Sequence, residues 1–207
     1  MRKNARWRQT WFAQLGVSTS ELLAATAITG LFVVVGVPTL NDARRSAALE
    51  RATAQVHGLL VRSRAVAVLH ARACAVIFDR ASDGSWRCTV AEDGDGDGVR
   101  RSDIVSGRDP IVDSVVTLEA GGAGPGILGV GSIPDPSGRG TLGGDPGDPI
   151  RAGRGDIITF SSHGTATPSS VYFTDFNARM TVIRVYGGTG RINRLTWRRG
   201  WDAWRQR

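Results

Sequence analysis

The sequence predicts an α+β protein: one long N-terminal α-helix, membrane-spanning in its first half, packed through its second half on an antiparallel β-rich head. Three observations carry this. The run from Leu22 to Leu40 has no charge, and only Thr26, Thr29 and Thr39 are polar in it. After Pro38, apolar residues recur at helical spacing. Beyond Ala71 the periodicity shortens to strand-like runs punctuated by Gly and Pro.

The first element is the apolar run. About 19 residues rising about 1.5 Å each nearly match a hydrocarbon core of about 30 Å. Arg2, Lys3, Arg6 and Arg8 precede it, so the short N-terminal end is expected to stay cytoplasmic and everything after Leu40 to lie across the membrane. A secretory signal peptide would need a shorter apolar run and a small-x-small cleavage site, whereas this run continues into an amphipathic helix. Those four residues also hold four of the seven net positive charges of this 207-residue chain, which has 26 Lys+Arg against 19 Asp+Glu. The remainder is too nearly balanced for a generally basic nucleic-acid coat. In the helix after Pro38, the stripe Leu49, Ala52, Val56, Leu59 or Leu60, Ser63, and Val66 or Ala67 faces the head, with Arg44, Arg45, Arg51, Arg62 and Arg64 between. His57 and His70 lie on this segment without a ligand cluster, as surface or helix-end histidines do.

In the head, strands are expected at Cys74 to Phe78, Trp86 to Val90, Ile111 to Leu118, Asp156 to Phe160, Val171 to Phe173, Met180 to Tyr186 and Arg191 to Trp197. A Ser82-Asp83-Gly84 turn makes the first two a hairpin and sets Cys74 and Cys88 roughly opposite each other. Two readings stay open for that pair: a disulfide closing a loop of about 15 residues, worth about 3 kcal/mol, or two small buried thiols. The stretch 120–155 is so rich in Gly, Pro and Asp that it is expected to form a surface excursion and supply no packed core.

Glu21 is the odd residue, a carboxylate at the edge of the apolar run, where an ionised group needs a partner. The segment Gly16-Val17-Ser18-Thr19-Ser20-Glu21-Leu22-Leu23 resembles the prepilin signal of the type IV pilin superfamily. Gly30 and Pro38 fall where pilins often carry a helix-loosening glycine and proline. The likeness implies that a prepilin peptidase cuts after Gly16 and methylates Val17. It also implies that Glu21 meets the new amino terminus of a neighbouring subunit, setting register in a fibre. The other reading is an ordinary single-pass anchor with a chance Glu21. Ile157-Ile158-Thr159-Phe160-Ser161-Ser162-His163-Gly164-Thr165-Ala166, the Val171-Tyr172-Phe173 strand and the late Gly190-Arg191 resemble the GspH/FimT group of minor pilins and pseudopilins. By resemblance the organisation is a leader 1–16, a transmembrane and filament-core helix 17–40, an amphipathic half 41–71, a periplasmic head 72–197 and an Arg/Trp tail 198–207. The implied role is that of a minor subunit of a type II secretion pseudopilus or a type IV pilus in the bacterial inner membrane. Its implied partners are other pilins or pseudopilins and the inner-membrane assembly platform.

Two side-chain patterns call for a ligand. Asp93, Asp95 and Asp97 alternate with glycines, and Asp103 follows, a pattern similar to a calcium loop; the alternative is a solvated acidic turn. Toward the C-terminus, Arg191, Arg194, Arg198 and Arg199 interleave with Trp197, Trp201 and Trp204, a composition that can neutralise phosphates and stack bases. Some FimT-type pilins take up DNA through a Gly-Arg-x-Arg motif, and Gly190-Arg191-Ile192-Asn193-Arg194 has one residue more. Strand alternation sets Arg191 and Arg194 on opposite faces unless a bulge intervenes. The other reading docks the tryptophans on the head or on another pilin. Ser161, Ser162 and His163 are neighbours on a turn without an orienting acid, the glycines between Gly121 and Gly155 make no phosphate loop, and zinc needs more Cys or His than are present; no enzyme is expected.

Overall fold

A computed structural model describes residues 18–206 apart from 119, 120, 130 and 154. The expected cleavage pair, Gly16 and Val17, lies outside the described residues. The chain divides into two units, Met1–Asn41 and Asp42–Arg207.

Helix α1 runs over Thr19–His70, 52 residues. In the first unit Leu22, Leu23, Leu31, Phe32 and Val34 are all exposed, and α1 is long and apolar enough to cross a membrane. The threonines of the apolar run hide their hydroxyls against the backbone. Thr26 Oγ1 donates to the Leu22 carbonyl (2.9 Å), Thr29 Oγ1 to Ala25 (2.7 Å) and Thr39 Oγ1 to Gly36 (2.8 Å). No water is therefore needed to satisfy them. Pro38 lies inside the helix, and α1 runs through it without a break.

The second unit contains the rest of α1 and two antiparallel sheets. Strands β1 (Cys74–Arg80), β2 (Trp86–Glu92), β3 (Ile111–Thr117) and β6 (Ile157–Phe160) form one, in the order β3-β2-β1-β6. In the other, β10 (Arg205–Gln206), β9 (Arg191–Arg198), β8 (Arg179–Tyr186) and β7 (Ser169–Thr174) follow in order. The far edge of β7 pairs with both β4 (Gly124–Pro125) and β5 (Ile150–Ala152). A short helix α2 (Arg101–Ser106) lies between β2 and β3.

The predicted helical stripe is the inner wall of the core. Leu49, Ala52, Val56, Leu59, Leu60, Ser63 and Ala67 are all buried. They cluster with Cys74, Val76 and Phe78 of β1, Val171 and Phe173 of β7, and Ile183 and Val185 of β8, so one helix face serves both sheets. α1 ends at Ala71, whose φ of 53° is left-handed, and the Arg72 N–H returns to the Ala67 carbonyl at 3.2 Å. Strand alternation sends the remaining residues outward. Ala75 and Ile77 pack under Val99 and Ile104, while Tyr172, Met180, Val182 and Trp197 pack under Leu128 and Ile133.

Two expectations are corrected here. The stretch 120–155 does supply core: Ala123, Leu128, Ile133, Ile150 and Ala152 are buried, and it contributes β4 and β5. A two-layer sheet core needs a cover for its outer face, and this segment provides it. Cys74 and Cys88 do not face each other. The turn pairs Arg80 with Trp86, so Cys74 lies opposite Glu92 and Cys88 opposite Phe78. At about 3.4 Å per residue the cysteines are about 14 Å apart along the sheet, well beyond the roughly 7 Å that a disulfide can span. Both are free and buried. Burial is the main reason that the Cys74 thiol is pushed up to about 11 and that Cys88 is also raised. We expect neither thiol of the folded full chain to react with iodoacetamide at pH 7, and both to react after unfolding without reductant. A mass showing a bridged pair would contradict the register.

Candidate functional site

The N-terminus of α1 resolves the question posed by Glu21. The Ser18 N–H donates to Glu21 Oε2 (2.9 Å), and the Glu21 N–H donates to Ser18 Oγ (3.2 Å). This reciprocal pair is a capping box, with Ser18 as N-cap and the carboxylate at the third helical position, close to the positive end of the helix dipole. Two amides that would otherwise lack partners in an apolar setting are satisfied by residues three apart. The carboxylate has its partner inside its own chain.

In the second unit, polar bonds pin α1 to the second sheet at three levels. Arg179, at the start of β8, donates to the Asp42 carboxylate (2.6 Å) and to the Asp42 carbonyl (3.2 Å). Buried Asp175 braces that guanidinium at 3.7 Å while its Oδ1 accepts the N–H groups of Asn177, Ala178 and Arg179. Further along, Arg194 pairs with Glu50 at 2.7 Å. At the far end Arg64 donates to the Thr189 carbonyl (3.1 Å). Gly190 is required there, since its φ is 58° and a Cβ would lie 2.1 Å from the Gly164 carbonyl oxygen. Along this part of α1 an open groove of about 680 Å³ is lined by the apolar Val61, Val68, Leu69 and Ile192 together with Arg64 and Arg191, and His57 lies on its wall. Burial, and then the Arg194 charge, hold His57 below the usual imidazole range.

The acidic loop brings together Asp93, Asp95 and Asp97, which can each offer an oxygen within 4.8 Å of the others. Asp103 departs from that expected set, because it is buried and faces Arg108 at 3.0 Å. The cluster is satisfied by groups of the loop itself. Asp93 accepts the Gly96 (2.7 Å) and Gly98 (3.0 Å) N–H groups, Asp97 pairs with Arg100, and Arg108 reaches Asp95 at 3.8 Å. Desolvation first, and then hydrogen bonding to Asp95, raise the Asp97 carboxyl. A calcium ion here would have to displace Arg100 and Arg108. The organising residue is one that the motif did not single out. Asp109 is 1% exposed and accepts the Gly94 N–H (3.1 Å) and the Arg100 N–H (2.9 Å). Gly94 itself passes so close to Arg108 that a Cβ would sit 1.8 Å from its carbonyl oxygen. The loop thus closes β2 onto β3 and lays Val99 and Ile104 over the first sheet.

The Arg/Trp segment is not a free basic arm. The β8–β9 register runs regularly from Tyr186↔Arg191 to Arg179↔Arg198, without a bulge, so Arg191 and Arg194 do point to opposite faces. Arg191 donates to Asn193 Oδ1 (2.9 Å), and Arg194 is the partner of Glu50. Beyond residue 198, β10 pairs back onto β9, and Trp201 and Trp204 pack against the cluster of Trp197. Trp197 Nε1–H donates to the Trp201 carbonyl (2.8 Å) and Trp204 Nε1–H to Pro134 (2.6 Å). Arg205 stacks over Trp201 at 4.2 Å from the ring centroid. Arg198 and Arg199 are exposed.

His70, at the end of α1, faces Glu92 at 3.0 Å. Ser162 Oγ and His163 Nδ1 lie 3.3 Å apart and exposed, with no third group bonded to the imidazole among the described residues. Asp42, Glu50, Arg179 and Asp175 carry the seam, and no local signal distinguishes them from other surface charges in the sequence. No family model, curated protein or solved structure matches the chain.

Replacing buried Asp109 with Ala takes away the charged acceptor of the Gly94 and Arg100 N–H groups. We expect it to lower stability by about 1–3 kcal/mol, read as the unfolding midpoint of the full chain in micelles. Asp97→Ala, at an exposed pair, is expected to leave the midpoint where it is.

Proposed function

We propose that this chain is a minor subunit of a type IV pilin-like fibre, either a type II secretion pseudopilus or a type IV pilus, and that it catalyses nothing. The observation that carries the reading is the division of labour along α1. Its described apolar residues before Leu40 are exposed, while those after Asp42 are built into a head core. An exposed apolar helix flank is suited to lipid first and to like helices afterwards. Extraction into a fibre exchanges one apolar surround for the other. The exposed Val61, Val68 and Leu69 along the head groove offer further surface to neighbouring subunits. In this reading Glu21 meets the amino terminus that cleavage after Gly16 would create on a neighbouring subunit.

A second reading, DNA capture at a pilus tip, draws on exposed Arg191, Arg198 and Arg199 beside the Arg205–Trp201 stack. It ranks behind because Arg194 is bound to Glu50 and the tryptophan faces are turned inward.

Mass spectrometry of the mature protein tests the first reading: the expected product begins at a methylated Val17, and an intact leader or a cut elsewhere refutes it. Glu21→Leu is expected to reach the membrane yet fall about tenfold or more in sheared fibres, since removing one member of a desolvated pair costs roughly 3 kcal/mol. Undiminished incorporation would remove Glu21 from assembly. For the second reading, retardation of DNA by the solubilised chain should weaken with salt and be lost in Arg198→Ala/Arg199→Ala; no retardation at low salt would dismiss it.

A further inference from the structure

We infer that the tip of the β7–β8 hairpin, led by Phe176, docks on the lipid interface of the membrane that α1 enters. The inference rests on the reading above only in taking the apolar run as membrane-spanning.

The tip is unusual in three respects. Phe176 is 59% exposed, the only large hydrophobic residue among the described ones on the turn between these strands. Its φ of 53° is left-handed, a conformation that Gly, Asn or Asp adopts at much lower cost than an aromatic residue. The conformation is nevertheless locked. Thr174 Oγ1 accepts the Phe176 N–H (3.0 Å), and Asp175 caps the next three amides of the turn. The ring edge rests by Gly126, where a Cβ would lie 3.0 Å from it, and the rest of the ring faces outward. A strained, rigidly held and outward-facing aromatic ring at a loop tip points to a function rather than to packing.

Its position along the molecule says what it faces. The contacts between α1 and the second sheet are in register. Arg64 meets Thr189 beyond the end of β8, Glu50 meets Arg194 opposite Ile183, and Asp42 meets Arg179 at the first residue of β8. Going from Glu50 to Asp42 is about 12 Å along the helix, and going from Ile183 to Arg179 is about 13 Å along the strand. Helix and strand therefore run side by side, and the hairpin turn, just before Arg179, is the end of the head that lies level with Asp42. By chain connectivity the apolar run ends at Leu40, two residues or about 3 Å before Asp42. Through Arg179 the turn is thus tied to Asp42, close in the chain to where a spanning helix leaves hydrocarbon for headgroups and aromatic side chains concentrate. The surrounding groups suit that place. Asn177, Arg44 and Arg45 are exposed near the helix exit, beside the Asp42–Arg179 pair, and the two arginines can meet anionic headgroups.

The test uses the full chain in liposomes with a nitroxide on Phe176→Cys, comparing accessibility to oxygen and to a water-soluble nickel complex. Buried Cys74 and Cys88 stay unlabelled in the folded protein, and their protection certifies the fold; Asn177→Cys, exposed on the same turn, replaces the first variant if that protection is lost. The reference in water is Val105→Cys, 89% exposed on α2, and the reference in hydrocarbon is Phe32→Cys. We expect the ratio of oxygen to nickel accessibility at 176 to exceed that at 105 several-fold and to fall short of that at 32. A ratio at 176 equal to that at 105 overturns the inference while 32 still reports hydrocarbon. Low accessibility to both reagents would mean a protein contact and would also overturn it. An aqueous signal at 32 itself would overturn the membrane-spanning reading instead.

Discussion

One surface is shared by both sheets of the head: the buried face of α1 from Ala48 to Ala67. Phe78 and Val76 reach it from one sheet, Phe173 and Ile183 from the other, so each sheet's inner core ends on the same helix. A large side chain moved fully out of water contributes about 1.5–3 kcal/mol, and several do so here. The ion pairs along the seam, Asp42–Arg179 and Glu50–Arg194, add comparatively little net stability. Their effect is geometric, since they fix how far the helix can slide along β8 and β9. An apolar stripe alone would tolerate a shift of one turn.

This constraint also explains the loops. A sheet whose inner face meets α1 still has an outer face, and strand alternation fills it with Ala75 and Ile77 on one sheet and Tyr172, Met180 and Val182 on the other. Glycine-rich segments with little secondary structure cover these faces: the acidic loop with α2 on the first, residues 127–142 with the C-terminal tryptophans on the second. β1 is buried on both sides for this reason, which is why it reads as an unbroken apolar run.

How much of this the sequence discloses depends on whether a feature is periodic. The stripe from Leu49 to Ala67 repeats at helical spacing, and every position of it is buried or partly so. The seven expected strands are all present, with ends shifted by at most two residues, because their apolar residues are contiguous or alternate. Register is a different matter. The pairing of Cys74 with Glu92 is set by the turn that joins Arg80 to Trp86, and the spacing of the cysteines carries no information about it. The covering role of Leu128 and Ile133 was illegible for another reason: isolated apolar residues among glycines have no period, and they acquire meaning only opposite Met180 and Val182. The acidic motif was visible as Asp93, Asp95 and Asp97, yet Asp109, which holds the loop closed, lies outside any repeat. The Asp42–Arg179 and Glu50–Arg194 bonds join residues more than a hundred positions apart, beyond the reach of local pattern.

The capping box at Ser18 and Glu21 changes what a carboxylate beside an exposed apolar helix means. It never stands alone, so any later engagement with a cationic group is a swap of one donor for another. The free-energy difference then lies between two bonded arrangements, which is small and reversible. What such an exchange requires is a loosened first helical turn, and Ser18, Thr19 and Ser20 are residue types that leave a helix readily. The polarity of this short stretch would then act as a hinge: firm enough to hold the acid in its first turn, and weak enough to release it to another donor.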